Sequence, residues 1–425
     1  MAPLDELLDE LDARLAETDA ALALQHERPA PGRQPVHTVY VPADQFSAGL
    51  PARWGTEAQA LLDEHAPFAD QLATATGLPV EAVHGALPRV RVKLATEPIE
   101  DLRIDFEDGY GYRSDADEDA DAQKAGQAMA ALIGRDGAPF SLGLRVKSME
   151  TRDRRRGVRT LDLLVGALCT ALPDGPEMPP ILSGRFVVTL PKVSSVAQVE
   201  AVLSVVDAIE DAHQLTSGTI GVELQIELPS AIQSADGTAT VARLVGAAGT
   251  RCAGVHYGTY DYSAACGVAA AFQSLEHPVA DHAKAVMLLA AVQAGVPAVD
   301  GSTNVMPTGP TENVHDAWRL HARLVRRSLE RAYYQGWDMH PGHLITRYLA
   351  TYVFFRDALP AAGARLSTYL ARSSSQSGVV DEPATARALS TVILRGLDCG
   401  ALTEEEVAAV ALDVAQLRRL SRPRA

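Results

Sequence analysis

Basic residues are scarce in this chain: 38 Lys and Arg stand against 54 Asp and Glu, a formal charge of −16 at pH 7. A nucleic-acid binder would carry a basic stripe, so that class is excluded. A small anionic substrate stays compatible, provided Arg, Lys or a metal concentrates positive charge locally. Cysteine is rarer still. The four, Cys169, Cys252, Cys266 and Cys399, form no CxxC pair and have no His at zinc spacing. They read as free thiols in a reducing compartment. No apolar run reaches about 18 residues, so no membrane span or membrane partner is expected. The acidic opening Met1-Ala2-Pro3-Leu4-Asp5-Glu6 does not read as a signal peptide, and a cytoplasmic location is the expectation.

What is present is ordinary for a soluble globular enzyme: 47% hydrophobic and 22% charged residues in a chain of 425. Leu4, Leu7, Leu8, Leu11 and Leu15 recur at helical spacing among acids. They predict an amphipathic N-terminal helix over 4–26, packing on the main domain or a neighbouring subunit. A linker through Pro29–Arg33 closes this first segment, 1–35. From there a strand-then-helix beat runs to residue 358. Strands are predicted at 36–42, 102–106, 140–146, 186–190, 221–227, 252–261, 297–300 and 336–340. Helices are predicted at 117–134, 157–171, 196–214, 238–248, 279–295, 313–335 and 343–358, with a helical insertion at 44–98. Eight alternations predict the α/β class and a (β/α)8 TIM barrel over 36–372. Helix continues over 361–373, and Ser373–Gly378 reads as a flexible joint. A helical piece over 383–420 follows, broken at Gly400 and recapped by Thr403 ahead of Glu404-Glu405-Glu406. The segment 373–425 thus reads as a C-terminal lid or arm.

The chemistry concentrates where strands end. Gly221–Ser230 is a short β-rich run opened by glycine and closed after a proline, with Glu227 at its end. The next strand-like run ends at Asp261, 34 residues later, about one strand–helix–strand unit. Two carboxylates at the same end of adjacent parallel strands suit one hard dication, Mg²⁺ or Mn²⁺. Asp108, Arg145, Lys192, Glu227, Asp261, Asp300 and His340 recur at intervals of 34 to 47 residues. Each falls at or past the C-terminal end of a strand, the face where such barrels keep their chemistry. Solvent-exposed loop charges explain any one of them, but not seven in phase.

Arg145, flanked by Leu144 and Val146, offers a fork for a substrate carboxylate, with a salt bridge to Glu227 or Glu107 as the compatible structural role. Asp105-Phe106-Glu107-Asp108 places acids around a strand end. Glu107 and Asp108 are expected to orient Arg145 or metal-bound water. The acid run from Asp115 to Asp121 fits a helix N-terminus better than a calcium loop, because Gly126 stands where the bidentate Glu would be. Lys192, Lys147 and Lys93 are minor candidates for a Schiff-base lysine. Lys192, Tyr260 and His340 are expected to contact substrate. His340 and His256 are read as substrate-contacting or capping rather than zinc-binding. Arg152, Arg154, Arg155 and Arg156 read as a solvated face that is also able to meet phosphates.

With these residues in hand, the chain resembles the HpcH/HpaI aldolase/citrate lyase superfamily, on the citrate lyase β-subunit and malyl-CoA lyase side. Val39-Tyr40-Val41-Pro42 resembles its opening strand, Asp105-Phe106-Glu107-Asp108 its D-L-E-D and Arg145-Val146-Lys147 its R-V-N. Leu190-Pro191-Lys192-Val193 resembles P-K-V. Ile226-Glu227 and Gly258-Thr259-Tyr260-Asp261 fall on the metal-binding positions. Ala298–Gly301 and Met339-His340-Pro341 follow in order, and Gly378–Pro383 is similar to the C-terminal G-x-x-[IV]-D-x-P element. The resemblance implies a Mg²⁺- or Mn²⁺-dependent carbon–carbon lyase or aldolase. Arg145 and the metal would hold a 2-oxo acid such as pyruvate, glyoxylate or oxaloacetate, and the metal would stabilise the developing enolate. It also implies Asp381 as acid/base, carried by the C-terminal arm into a neighbour's site in a homotrimer or hexamer. A CoA ester is the further ligand that the family brings. Lys147 in place of Asn, the 44–98 insertion and the Tyr257/Tyr260/Tyr262 cluster weigh against it and mark a divergent member. The alternatives are acyl-CoA ester chemistry (lyase, synthase or thioesterase) and a non-catalytic ligand-binding barrel.

Overall fold

The computed structural model describes residues 2–26, 32–172, 185–373 and 383–422. They divide into two compact units, one from Gln34–Asp357 with Cys399–Ala401, the other from described parts of Met1–Arg33, Ala358–Asp398 and Leu402–Ala425.

The first unit is built on eight parallel strands: β1 (His37–Pro42), β2 (Asp101–Asp105), β3 (Ser141–Arg145), β4 (Phe186–Leu190), β5 (Ile220–Ile226), β6 (Cys252–Tyr257), β7 (Ala298–Val299) and β8 (Gly336–Asp338). Their order is β7-β6-β5-β4-β3-β2-β1-β8. A parallel bridge between Val299 and Gln335, with Asp300 N–H donating to the Gln335 carbonyl at 2.9 Å, joins the two ends and closes the barrel. The fold is thus a (β/α)8 barrel.

Alternation along the strands separates two environments. Leu102, Ile104, Leu142, Leu144, Val188, Leu224 and Val255 are buried. They occupy the alternate positions that leave the lumen for the helical layer, each contributing about 1.5–3 kcal/mol of burial for a Leu- or Val-sized side chain. The positions between them carry polar side chains that meet inside the barrel: Arg103, Asp105, Arg145, Thr189, Glu223, Gln225 and His256, all buried. The insertion between β1 and β2 folds as three helices, Leu50–His65, Ala69–Thr76 and Val80–Thr96. Ser114 caps the helix Asp115–Leu132 by accepting from Asp117 N–H, and Asp115, Asp117 and Glu118 fill its first turn.

Several boundaries differ from the sequence expectation. The strand expected at 252–261 ends at Tyr257. Gly258 breaks it, and Asp261 lies in the first turn of a short helix, Thr259–Ala265. The helices expected at 343–358 and 361–373 are one helix, Pro341–Ser373, continuing through Pro360. Loss of one backbone bond at a proline is offset there by the burial of Leu359, Ala362 and Leu366.

The second unit has its own core, formed by Leu359, Ala362, Leu366, Ala386, Ile393, Leu402, Val407, Leu412 and Leu417. Its helices include Pro383–Asp398, Glu404–Ala409 and Val414–Ser421. Thr403 and Glu406 form the expected reciprocal cap. Among the described residues, no helix is long and apolar enough to cross a membrane.

Candidate active site

The barrel interior is stacked in polar layers that rise to the C-terminal mouth. At mid-height, Glu223 of β5 is a hub. Its carboxylate accepts from Arg103 Nε (2.9 Å) and Nη2 (2.8 Å), from Tyr40 Oη (3.3 Å) and from Thr189 Oγ1. His256 Nε2 lies 3.0 Å away. Burial alone would raise this carboxyl, but Arg103 and His256 outweigh it and hold Glu223 well below the usual carboxylate range.

One layer higher, Arg145 of β3 is gripped by Asp105 of β2, both contacts at 2.7 Å. Arg145 Nη1 donates to Gln225 Oε1 at 3.2 Å and stands 3.4 Å from Glu107. The guanidinium carbon lies 5.1 Å from the Tyr40 ring and 5.3 Å from the Trp337 ring, a cation–π arrangement. The fork expected to clasp substrate is therefore held by Asp105, and only the Nη1 edge faces the mouth.

Gln225 links this layer to the next. Its Nε2 donates to Glu227 Oε2 at 2.8 Å. Glu227 is buried directly beyond β5, and Gly258 is what lets it sit there. A Cβ on Gly258 would lie 2.5 Å from Glu227 Cβ. Glu227 Oε1 accepts from the backbone N–H of Lys192 at 2.6 Å. Lys192 has a left-handed φ of +51°. Such a conformation costs a non-glycine residue on the order of 1–3 kcal/mol and concentrates at functional sites.

The Lys192 ammonium meets Glu107 Oε1 at 2.5 Å, Asp108 Oδ2 at 3.0 Å and Asp261 Oδ2 at 3.3 Å. Burial works to lower that ammonium, but Glu227, Glu107 and Asp108 outweigh it and push it up. Glu227 is pushed well above the usual carboxylate range, first by burial and then by Glu107 and Asp261, against the pull of Lys192 and Arg145. Burial also raises Glu107, whereas Lys192 overcomes burial at Asp108 and lowers it. Five carboxylates (Asp105, Glu107, Asp108, Glu227, Asp261) thus face two cations (Arg145, Lys192), a formal excess of three negative charges.

Asp105, Asp108, Arg145, Gln225, Glu227 and Asp261 line a cavity of about 520 Å³, whereas Glu107 and Lys192 are not among its lining residues. Tyr40, Pro42, Trp337 and Met339 supply its apolar walls, and Gln45, Thr259, Ser302 and Asn304 add polar ones. Tyr260 lines it too. Its hydroxyl oxygen accepts from Asn304 N–H at 2.6 Å, and the Thr303 side chain is a second hydrogen-bond partner of the hydroxyl.

Arg145, Glu107, Asp108, Lys192, Glu227, Tyr260 and Asp261 are therefore brought together. His340 does not line the cavity; its Nδ1 accepts from Gly342 N–H at 3.0 Å. Asp381 lies outside the described residues. Asp300, in phase by spacing, faces the helical layer, where it pairs with Lys284 at 3.1 Å and accepts from Ser328. Lys147 donates to the Phe106 carbonyl at 2.7 Å and pairs with Glu118, and Lys93 pairs with Glu97 and Glu100. Neither reaches the mouth, so the Schiff-base suspicion over them falls away. In the arginine run, Arg156 is engaged by Glu118 and Asp119, Arg154 by the Met149 carbonyl, and Arg152 lies over the Tyr112 ring, while Arg155 is exposed.

A second cluster, His321, Asp338 and His343, has metal-like proximity. Its carboxylate is already saturated. Asp338 binds Arg347 through Nε at 3.0 Å and Nη2 at 2.9 Å, with His37 at 3.2 Å and His321 at 3.1 Å. A guanidinium in that position opposes a dication, and the cluster is a structural network under β8.

Sequence reasoning missed the structural roles of Gln225, Glu223 and Arg103, and the Tyr40/Trp337 wall. The signal was available for β5, where Glu223, Gln225 and Glu227 alternate with Leu224 and Ile226.

A closed eight-stranded barrel with its polar chemistry at the C-terminal mouth defines a (β/α)8 barrel. The chain belongs to the family described as domain of unknown function DUF6986, whose profile matches residues 15–425. Among solved structures, it is similar to a citrate lyase from Burkholderia xenovorans LB400 (16% identity, TM-score 0.56, covering 89% of this chain and 97% of that one). A malate synthase from Haloferax volcanii in a magnesium/glyoxylate complex matches at 13% identity, with a TM-score of 0.47 over 74% of each chain. An HpcH/HpaI aldolase/citrate lyase family protein from Burkholderia cenocepacia J2315 matches at 15% and 0.41, over 80% of this chain and 98% of that one. No curated protein sequence matches significantly. At 16% identity the likeness to the first of these solved structures shows the fold alone.

Proposed function

We propose that the chain is a Mg²⁺- or Mn²⁺-dependent carbon–carbon lyase or aldolase acting on a 2-oxo acid of the pyruvate, glyoxylate or oxaloacetate kind. The observation that carries this reading is the excess of acid at the mouth. Five carboxylates against two cations mark a place short of positive charge. Oxygen-only donors suit a hard dication, which Glu227 and Asp261 would hold. When bound, the metal supplies Lewis-acid charge for the oxyanion that develops as the carbon–carbon bond breaks.

The chain's own residues then have separable tasks. Arg145 Nη1 orients the substrate carboxylate, and Asp105 keeps the guanidinium from rotating. Tyr260 lines the cavity, where its side chain would contact the substrate. Glu107, raised by burial and beside Lys192, is a described group suited to holding a proton. Asp381 is the second acid/base candidate, carried into the site by a neighbouring copy in a trimer or hexamer. Tyr40, Trp337 and Met339 exclude water from one wall.

The test is a panel of 2-oxo acids and aldehydes assayed for aldol and retro-aldol turnover with EDTA, then with Mg²⁺ or Mn²⁺ restored. Full activity of Glu227→Ala, or turnover indifferent to EDTA, would overturn the reading.

A further inference from the structure

Lys192 touches four acids of the mouth, from three separate parts of the chain. Its ammonium reaches Glu107 at 2.5 Å, Asp108 at 3.0 Å and Asp261 at 3.3 Å. Its backbone N–H holds Glu227 at 2.6 Å. The two residues read as metal ligands are therefore both engaged by one lysine. At Asp261 a hard dication and the ammonium compete for the same carboxylate, and at such range they repel each other. The backbone of Lys192 is pinned by its bond to Glu227 and its left-handed turn, so movement is confined to the four-carbon stem. That side chain is 27% exposed, which gives the ammonium a route to solvent.

We propose that the Lys192 ammonium is a built-in competitor for the metal seat, which an incoming divalent cation displaces toward solvent. This rests on the metal reading of Glu227 and Asp261. The lysine neutralises the acid cluster when metal is scarce and makes loading a replacement of one cation by another. Metal affinity is lower than the same carboxylates would give alone.

Mn²⁺ binding to the full-length protein, followed by the electron paramagnetic resonance of free Mn²⁺, tests this directly. Lys192→Met is expected to bind Mn²⁺ at least about tenfold tighter than wild type, whereas Glu227→Gln loses binding. Equal or weaker binding by a folded Lys192→Met overturns the competitor. Absence of Mn²⁺ binding in both wild type and Lys192→Met overturns the metal reading and the competitor with it. A second measurement needs no variant. Amine-reactive acylation of the wild-type protein, read by mass spectrometry, should modify Lys192 several-fold faster with saturating Mn²⁺ than with EDTA. Unchanged or slower labelling overturns the displacement.

Discussion

The Gln225 amide donates to Glu227 at 2.8 Å from two residues earlier on the same strand. Its carbonyl oxygen meanwhile accepts from Arg145 Nη1 at 3.2 Å. One neutral side chain thus sets the distance between the group read as a metal ligand and the group read as a carboxylate clamp. Support of this kind is worth about 10–100-fold in metal affinity or activity. Gln225→Leu should lower kcat within that range while the circular dichroism spectrum is kept. A variant as active as wild type would show that Glu227 and Arg145 hold position without it.

Gly258 makes a separate demand. Its φ of −94° is open to any residue, so the constraint is contact with Glu227 and not backbone freedom. Gly258→Ala should push Glu227 off its seat and cost about 1–3 kcal/mol of stability, as overpacking does. Calorimetry should find a lowered Tm together with weakened Mn²⁺ binding. A tight-binding Gly258→Ala would mean that Glu227 is not confined.

The eight-stranded beat was legible because each buried strand is a short β-rich run bounded by glycine, proline or a charge. Spacing also led to Arg145, Lys192, Glu227 and Asp261, which do share one mouth. It misled at Asp300 because a count along the chain carries no information on which side of the sheet a residue faces. Beyond Tyr257 the aromatic, β-prone composition continues, and nothing local marks Gly258 as the point where strand becomes helix. Glu223 and Arg103 stayed invisible for a different reason. Apolar, β-prone content marks a strand but does not say that its alternate charged positions meet across a lumen.

That lumen network gives a pH prediction. Glu223 and Asp338 are both held below their ordinary values of 4.5 and 3.8, against burial, by Arg103 and His256 in one case and by Arg347, with His321 and His37 donating, in the other. A carboxyl with a depressed folded-state value contributes stability that is fully present above its unfolded value and lost as pH falls through the folded one. Stability should therefore hold above about pH 5 and fall progressively in acid below that. Glu223→Gln should flatten the acid limb of a urea-denaturation series. At neutral pH it leaves Arg103 with Asp101 as its remaining carboxylate partner, and breaking a buried pair costs about 3–5 kcal/mol. An acid limb as steep as that of wild type would place the proton uptake elsewhere.

Glu227 carries the opposite sign. Its carboxylate is crowded by Glu107 and Asp261, and the fold keeps it buried despite that repulsion. Removing the charge while preserving the shape should therefore stabilise the metal-free protein, as relief of local strain at functional sites commonly does, by about 0.5–2 kcal/mol. Glu227→Gln keeps an oxygen to accept from Lys192 N–H, while its amide nitrogen replaces the oxygen that accepts from Gln225 Nε2, a lost bond that offsets part of the gain. The expected pattern is a higher Tm in EDTA, no further rise on adding Mn²⁺, and lost turnover. Wild type should show the reverse, a lower Tm in EDTA that Mn²⁺ raises by mass action. If Glu227→Gln melts below wild type in EDTA, the acid pair is a structural requirement of the barrel mouth, and the case for a site built around a cation loses its footing.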